Sequence, residues 1–180
     1  NIPPVEIKEF DTEIIKLQES IDVTYNKEQL LAIRKALENR ISIITGGPGT
    51  GKTTIIKAIT KLYIKIHNLR PDEIPSQIAL LAPTGRAAKN LAESTGLPAS
   101  TIHRYLKWNK EANDFQINEL NKNFQRLVIV DETSMIDTHL FDALLKGICT
   151  NIQLILVGDA NQLPSVGPGL ILSDLINSTI

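Results

Sequence analysis

The chain has 180 residues, 42% of them hydrophobic and 22% charged, enough for one ordinary core and too few for two large ones. A net charge of −1 excludes a protein that grips nucleic acid by bulk positive charge, so any such site must be local. The single cysteine, Cys149, excludes a disulfide framework or a thiolate-rich zinc site, and with no signal peptide and no long apolar run the expected setting is cytoplasmic and away from membranes.

The chain begins at Asn1 without an initiator Met and stops at Ile180 directly after a helix-like stretch, which reads as a piece of something longer. Residues 1–22 open with Pro3 and Pro4 and continue with Phe10, Ile14, Ile15 and Leu17 in an amphipathic pattern. They read either as the tail of a preceding domain or as a helix packed on the edge of the next one, which runs over 23–180. Asn26 is placed to cap a helix carrying Leu30, Ile33 and Leu37 at helical spacing and ending near Asn39 and Arg40.

From residue 41 the rhythm is strand, loop, helix. Apolar β-rich runs at Ile41–Thr45, Ile78–Ala82, Leu127–Val130 and Ile152–Val157 lack polar alternation, as strands buried on both faces of a parallel sheet do. Helices are expected after Lys52, where Ile55, Ile59, Leu62 and Ile66 share a face and Lys57, Lys61 and Lys65 another, after Thr84 to about Ser94, and over Thr138–Ile148. The fold class is therefore α/β, a mostly parallel sheet of five or six strands flanked by helices. Residues 105–126 break the rhythm and read as a surface hairpin or loop insertion, with Trp108 more readily a packing residue than a base-stacking one.

Gly46–Thr53 reads G-G-P-G-T-G-K-T, fitting G-x-x-x-x-G-K-[ST] between an apolar strand and an amphipathic helix. Glycines let successive N–H groups converge on anionic oxygens, and the following helix adds the positive end of its dipole. Gly47, Pro48, Gly49, Thr50 and Gly51 form the bend, Lys52 is placed for the β- and γ-phosphates of ATP, Thr53 for Mg²⁺, and Thr54 extends the cradle. Phosphoryl transfer to water needs a metal and a group that orients the water, and Asp131 and Glu132 hang from one strand end for those two tasks. The plain alternative is that Asp131 caps the next turn. Gln162 follows another buried strand; beside the P-loop strand it would reach the γ-phosphate, whereas alone it reads as a turn residue. Gln29 stands three residues after Asn26, where it can complete a capping box or read the adenine edge; spacing favours the cap.

In order along the chain, these strings resemble the superfamily 1 helicases, and within them the RecD/TraA branch that includes the exodeoxyribonuclease V alpha subunit. N-K-E-Q at Asn26–Gln29 looks like the Q motif, Gly46–Thr53 motif I, A-P-T-G-R-A-A at Ala82–Ala88 motif Ia, and S-T-I-H-R at Ser100–Arg104 the Ib region. D-E-T-S-M at Asp131–Met135 is similar to motif II and G-D-A-N-Q-L-P-S-V-G-P-G at Gly158–Gly169 to motif III. The resemblance implies the first RecA-like motor domain of an ATP-dependent 5′-to-3′ DNA helicase, with Gln29 on adenine and Lys52, Thr53, Asp131, Glu132 and Gln162 around the triphosphate and its Mg²⁺. It places Pro83, Thr84, Arg86, His103 and Arg104 beside single-stranded DNA, although Thr84 also suits a helix cap, Arg86 a solvated face and His103 simple packing. It further implies partners: a second RecA-like domain carrying motifs IV to VI and the arginines this chain lacks before Ile180, and possible other exodeoxyribonuclease V subunits.

Overall fold

The computed structural model describes residues 7–47 and 51–159. Helix α1 (Ile7–Ile21) is followed by α2 (Lys27–Glu38), strand β1 (Ile41–Thr45), α3 (Lys52–Ile66), a single turn α4 (Ile74–Gln77), β2 (Ile78–Ala82) and α5 (Gly85–Thr95). Next come β3 (Ser100–Thr101), the short α6 (Ile102–Tyr105), β4 (Trp108–Asn109), β5 (Asp114–Phe115), β6 (Leu127–Val130), a 3₁₀ turn at Thr133–Met135, α7 (Thr138–Gly147) and β7 (Gln153–Gly158).

Among the described residues one sheet has five parallel strands in the order β1-β7-β6-β2-β3. Side chains alternate between its faces. Ile78, Leu80, Leu127, Ile129, Ile155 and Val157 enter a core shared with α1, α2, α3 and α5. Ala79, Leu81, Val128, Val130, Leu154 and Leu156 enter a second core under α6, α7 and the β4–β5 hairpin. Both faces are covered, which is why the strand sequences show no polar alternation. The exception is Gln153, buried at the start of β7, whose amide donates to the carbonyls of Leu37 at 2.8 Å and Asn39 at 3.2 Å. It satisfies the C-terminal carbonyls of α2, which otherwise lack partners. The expected strand at Ile152–Val157 is accordingly shifted by one residue.

Helix α1 lies against α3. Phe10 and Ile14 are buried in the first core, each worth about 1.5–3 kcal/mol, and Glu13 pairs with Lys65 at 3.1 Å. Arg34 of α2 pairs with Asp11 and stacks over the Phe10 ring at 4.8 Å. Lys65 is exposed, as a solvated lysine face leads one to expect, and reaches Glu13 of α1 across the surface.

The 105–126 insertion is a hairpin, β4 pairing antiparallel with β5. It is more than surface decoration, because Leu106, Phe115 and Ile117 are buried in the second core. Trp108 packs edge-on against Phe115, ring centroids 4.8 Å apart.

Candidate nucleotide and nucleic-acid site

Parallel strands send all their C-terminal ends to one rim, where open α/β sheets bind ligands. At that rim Thr45 of β1 is in register with Gly158 of β7, and β6 ends one strand further on. The loop before α3, the acids after β6 and the segment after β7 therefore emerge side by side.

Gly51 adopts φ +76°, a left-handed conformation that turns the chain into α3. Lys52, Thr53 and Thr54 form the first turn of that helix, and the Lys52 ammonium donates to the Gly46 carbonyl at 2.5 Å. Gly47 has open space where a Cβ would stand. Pro48, Gly49 and Thr50 lie outside the described residues.

Asn26 and Gln29 form a complete capping box. The Asn26 side chain accepts from the Gln29 N–H at 2.8 Å and the Gln29 Oε1 accepts from the Asn26 N–H at 3.0 Å. The cap does not remove Gln29 from the site. It lines, with Ile44, Gly46, Gly51, Lys52 and Ile55, a cleft of about 450 Å³, and a Cβ on Gly51 would stand 2.6 Å from its Nε2.

Asp131 accepts from the Glu132 N–H at 2.8 Å. Burial pushes the Asp131 carboxyl above the ordinary value, opposed by that hydrogen bond and by the Lys52 charge. Glu132 is raised by burial, then by the charge of Asp131, against Lys52 and with a smaller push from Asp159. Lys52 therefore lies on the same side of the molecule as both acids. Glu132 also sits at φ +54°, ψ +39°, a conformation costing a non-glycine residue roughly 1 kcal/mol or more. Asp159, buried at the end of β7, was not singled out from sequence; its only signal is a carboxylate directly after a strand-ending glycine.

A second cleft, also about 450 Å³, brings Thr53, Asp131 and Glu132 together with Thr84 and Arg86. Pro83 and Thr84 leave the end of β2, and the Thr84 hydroxyl caps α5 by accepting from the Ala87 N–H at 3.2 Å. Arg86, two residues on, is exposed. The tip of β3 is in register with that of β2, Ala82 opposite Thr101, so α6 starts beside the same rim. Its two candidates diverge. Arg104 is exposed beside a separate cavity lined by Pro75, Pro98, Tyr105 and Gln125. His103 is exposed yet contacts Phe115 at 5.7 Å and Trp108 at 6.2 Å between ring centroids, so packing accounts for part of its environment. Gln162 lies outside the described residues, although its strand is beside β1 as the γ-phosphate reading requires.

The oxygen donors Thr53 and Asp131, with Glu132 near, suit a hard cation such as Mg²⁺ that keeps waters and phosphate oxygens as its other ligands. Among the described residues no three His, Cys, Asp or Glu form an all-protein metal cage.

The AAA domain family profile matches residues 29–168, spanning Gln29, the P-loop and the acids. The chain belongs to the AAA domain family. This AAA domain is 38% identical over 145 residues to an "ATP-dependent RecD2 DNA helicase" of Deinococcus radiodurans, covering 81% of this chain and 19% of that one. It is 36% identical over 167 residues to the "RecBCD enzyme subunit RecD" of Mycolicibacterium smegmatis, covering 83% of this chain and 30% of the relative. Among solved structures it resembles the Pif1 helicase from Candida albicans, with a TM-score of 0.57, 25% identity and coverage of 81% of this chain and 34% of that one. The AAA domain thus has the RecA-like helicase-domain fold, and it spans less than a third of the length of the RecD relatives described. Among its described residues no helix is long and apolar enough to cross a membrane.

Proposed function

We propose that residues 23–180 are the ATP-binding motor domain of an ATP-dependent 5′-to-3′ DNA helicase acting in DNA repair and recombination, with 1–22 as an extension of it. The observation that carries this reading is the meeting of Lys52, Thr53, Asp131 and Glu132 at one rim, with Thr84 and Arg86 on the same cleft. The two RecD relatives are named as a DNA helicase and as a subunit of a RecBCD enzyme, which favours a motor over other P-loop ATPases.

In this reading the Lys52 ammonium leaves the Gly46 carbonyl for the β- and γ-phosphates, where it offsets their charge. Asp131 and Thr53 hold Mg²⁺, which when bound neutralises charge on the phosphates. Glu132, its carboxyl raised by burial and neighbouring acids, orients the attacking water and takes its proton. Gln29 meets the adenine edge and Gln162 the γ-phosphate. Pro83, Thr84, Arg86, His103 and Arg104 flank single-stranded DNA, and Thr84 and Arg86 share a cleft with the acids through which changes there pass to the strand. A second RecA-like domain of the same polypeptide supplies arginine to the γ-phosphate. An arginine of that kind is worth roughly 10³–10⁵ in turnover, so the domain alone hydrolyses ATP slowly. Other exodeoxyribonuclease V subunits are further partners, and the setting is cytoplasmic.

The test is ATP hydrolysis by the full-length protein with and without single-stranded DNA. Stimulation by the strand supports a motor. A flat response favours a P-loop ATPase or a structural nucleotide-binding subunit that does not act on DNA.

A further inference from the structure

We propose, on the reading that the domain is a DNA-dependent ATPase, that Arg86 and Asn90 of α5 bind orthophosphate, the product of hydrolysis, and that a DNA phosphate on Arg86 excludes it. Two clefts share the first turn of α3 as a wall. Lys52 lines one of them with Gln29, Ile44 and Gly51, and Thr53 lines the other with Asp131 and Glu132. A nucleotide whose base lies in the first cleft directs its γ-phosphate toward the second. There water adds to the γ-phosphorus, the bond to the ADP oxygen breaks and Glu132 takes the water's proton. Orthophosphate is then set free in the second cleft while ADP still fills the first.

The charges of the second cleft suit a departing anion. Two carboxylates stand where the product forms and repel it. Another wall is α5, on which Arg86 and Asn90 stand four residues apart, on one face, and both line the cleft. Among the described residues Arg86 is the one cation on this cleft, and neither its side chain nor that of Asn90 makes a hydrogen bond or ion pair. Their donors are therefore free for an anion. Ser94, one turn further on, is not, because its hydroxyl donates to the Leu91 carbonyl at 3.0 Å. A guanidinium takes either a phosphodiester or orthophosphate, but two anions on one guanidinium repel each other. Strand and product thus compete, and by linkage each weakens the other's binding by the same factor. Arriving DNA clears the product from the site.

The measurement is single-strand binding by the full-length protein with ADP and Mg²⁺ present. Fluorescence anisotropy follows it as sodium orthophosphate or, at matched ionic strength, sodium chloride is added. At saturation orthophosphate should raise the Kd for the strand about fivefold beyond the chloride control, as the loss of one hydrogen-bonded contact implies. Asn90 is exposed on a helix, so Asn90→Leu folds and keeps the net charge while removing the amide donors. That variant should cut the excess to about twofold or less, and Arg86→Ala should remove it. An equal effect of the two salts on the parent would overturn the product site. So would an excess that survives in both variants, since the anion would then be held elsewhere, as on the P-loop. Neither outcome touches the motor reading. ATP hydrolysis that does not respond to the strand would overturn that reading, and the product site with it.

Discussion

The Lys52 ammonium is folded onto the Gly46 carbonyl, 2.5 Å away, so the cation of the P-loop is held by the loop that carries it. The same charge favours ionised Asp131 and Glu132. Lys52→Ala removes the phosphate ligand and leaves two half-buried acids without their nearest cation. Steady-state ATP hydrolysis by the full-length protein should fall about a hundredfold or more. Activity within a few-fold of the parent would count against the whole site.

Glu132 joins a left-handed backbone to a desolvated carboxylate, two costs at one residue that suggest selection for something other than stability. Asparagine tolerates that backbone and carries no charge. Glu132→Asn should raise the melting temperature by roughly 2–4 °C while lowering hydrolysis about a hundredfold or more, measured by calorimetry and by turnover on the same preparation. A lower melting temperature would show that the conformation is not strained.

The pair Asp131 and Glu132 also makes stability depend on pH in a stated direction. Both carboxyls titrate above their ordinary values in the folded chain, mainly through burial. At pH below the unfolded values both states are protonated and the pair contributes nothing. As pH rises from the unfolded values toward the raised folded ones, the unfolded chain ionises before the native state does, so stability falls. Asp131→Asn should remove part of that fall. In urea unfolding without metal, its advantage over the parent should be least at the acid end and grow as pH rises above about 4, the unfolded carboxylate range.

Much of this arrangement was legible in the residues themselves. The runs Ile78–Ala82 and Leu127–Val130 are strands with those bounds, because burial on both faces leaves an unbroken apolar run, and Ile41–Thr45 is an edge strand with its expected bounds although only Ile44 of it is buried. Thr84 and Asn26 both cap helices, as their chemistry indicates. What stayed hidden depends on contacts far apart in the chain. Gln153 is polar within a buried strand only because the α2 carbonyls wait for it. Leu106, Phe115 and Ile117 are too irregularly spaced to announce a hairpin rooted in the core. The four-residue helices α4 and α6 and the two-residue β3 are too short for any periodicity to show. Gln29 was posed as a choice between cap and adenine reader, but the geometry gives it the cap while leaving it on the cleft wall.

Arg86 shares a cleft with Thr53 and the two acids, yet is exposed. If it meets a DNA phosphate, Arg86→Ala should weaken single-strand binding evenly across sequences and reduce the slope of log K against log salt by about 0.7. Fluorescence anisotropy with oligonucleotides of different sequence over a salt series measures both. An unchanged slope would place the arginine on a solvated face.

Gly147, near the end of α7, is where that helix touches the inserted hairpin. A Cβ there would stand 2.5 Å from Leu106 Cδ2 and 3.1 Å from Ile117 Cγ2. Leu106 is fully buried and has nowhere to retreat, and the Gly147 carbonyl already accepts from the Asn123 N–H at 2.8 Å. Gly147→Ala should therefore cost about 1–3 kcal/mol by overpacking, seen as a lower urea midpoint with an unchanged slope. Shortening the obstacle tests the cause: Leu106→Ala on its own opens a cavity and destabilises, but combined with Gly147→Ala it should lose less than the two costs added. Strict additivity would mean that the helix and the hairpin root do not press on each other at Gly147.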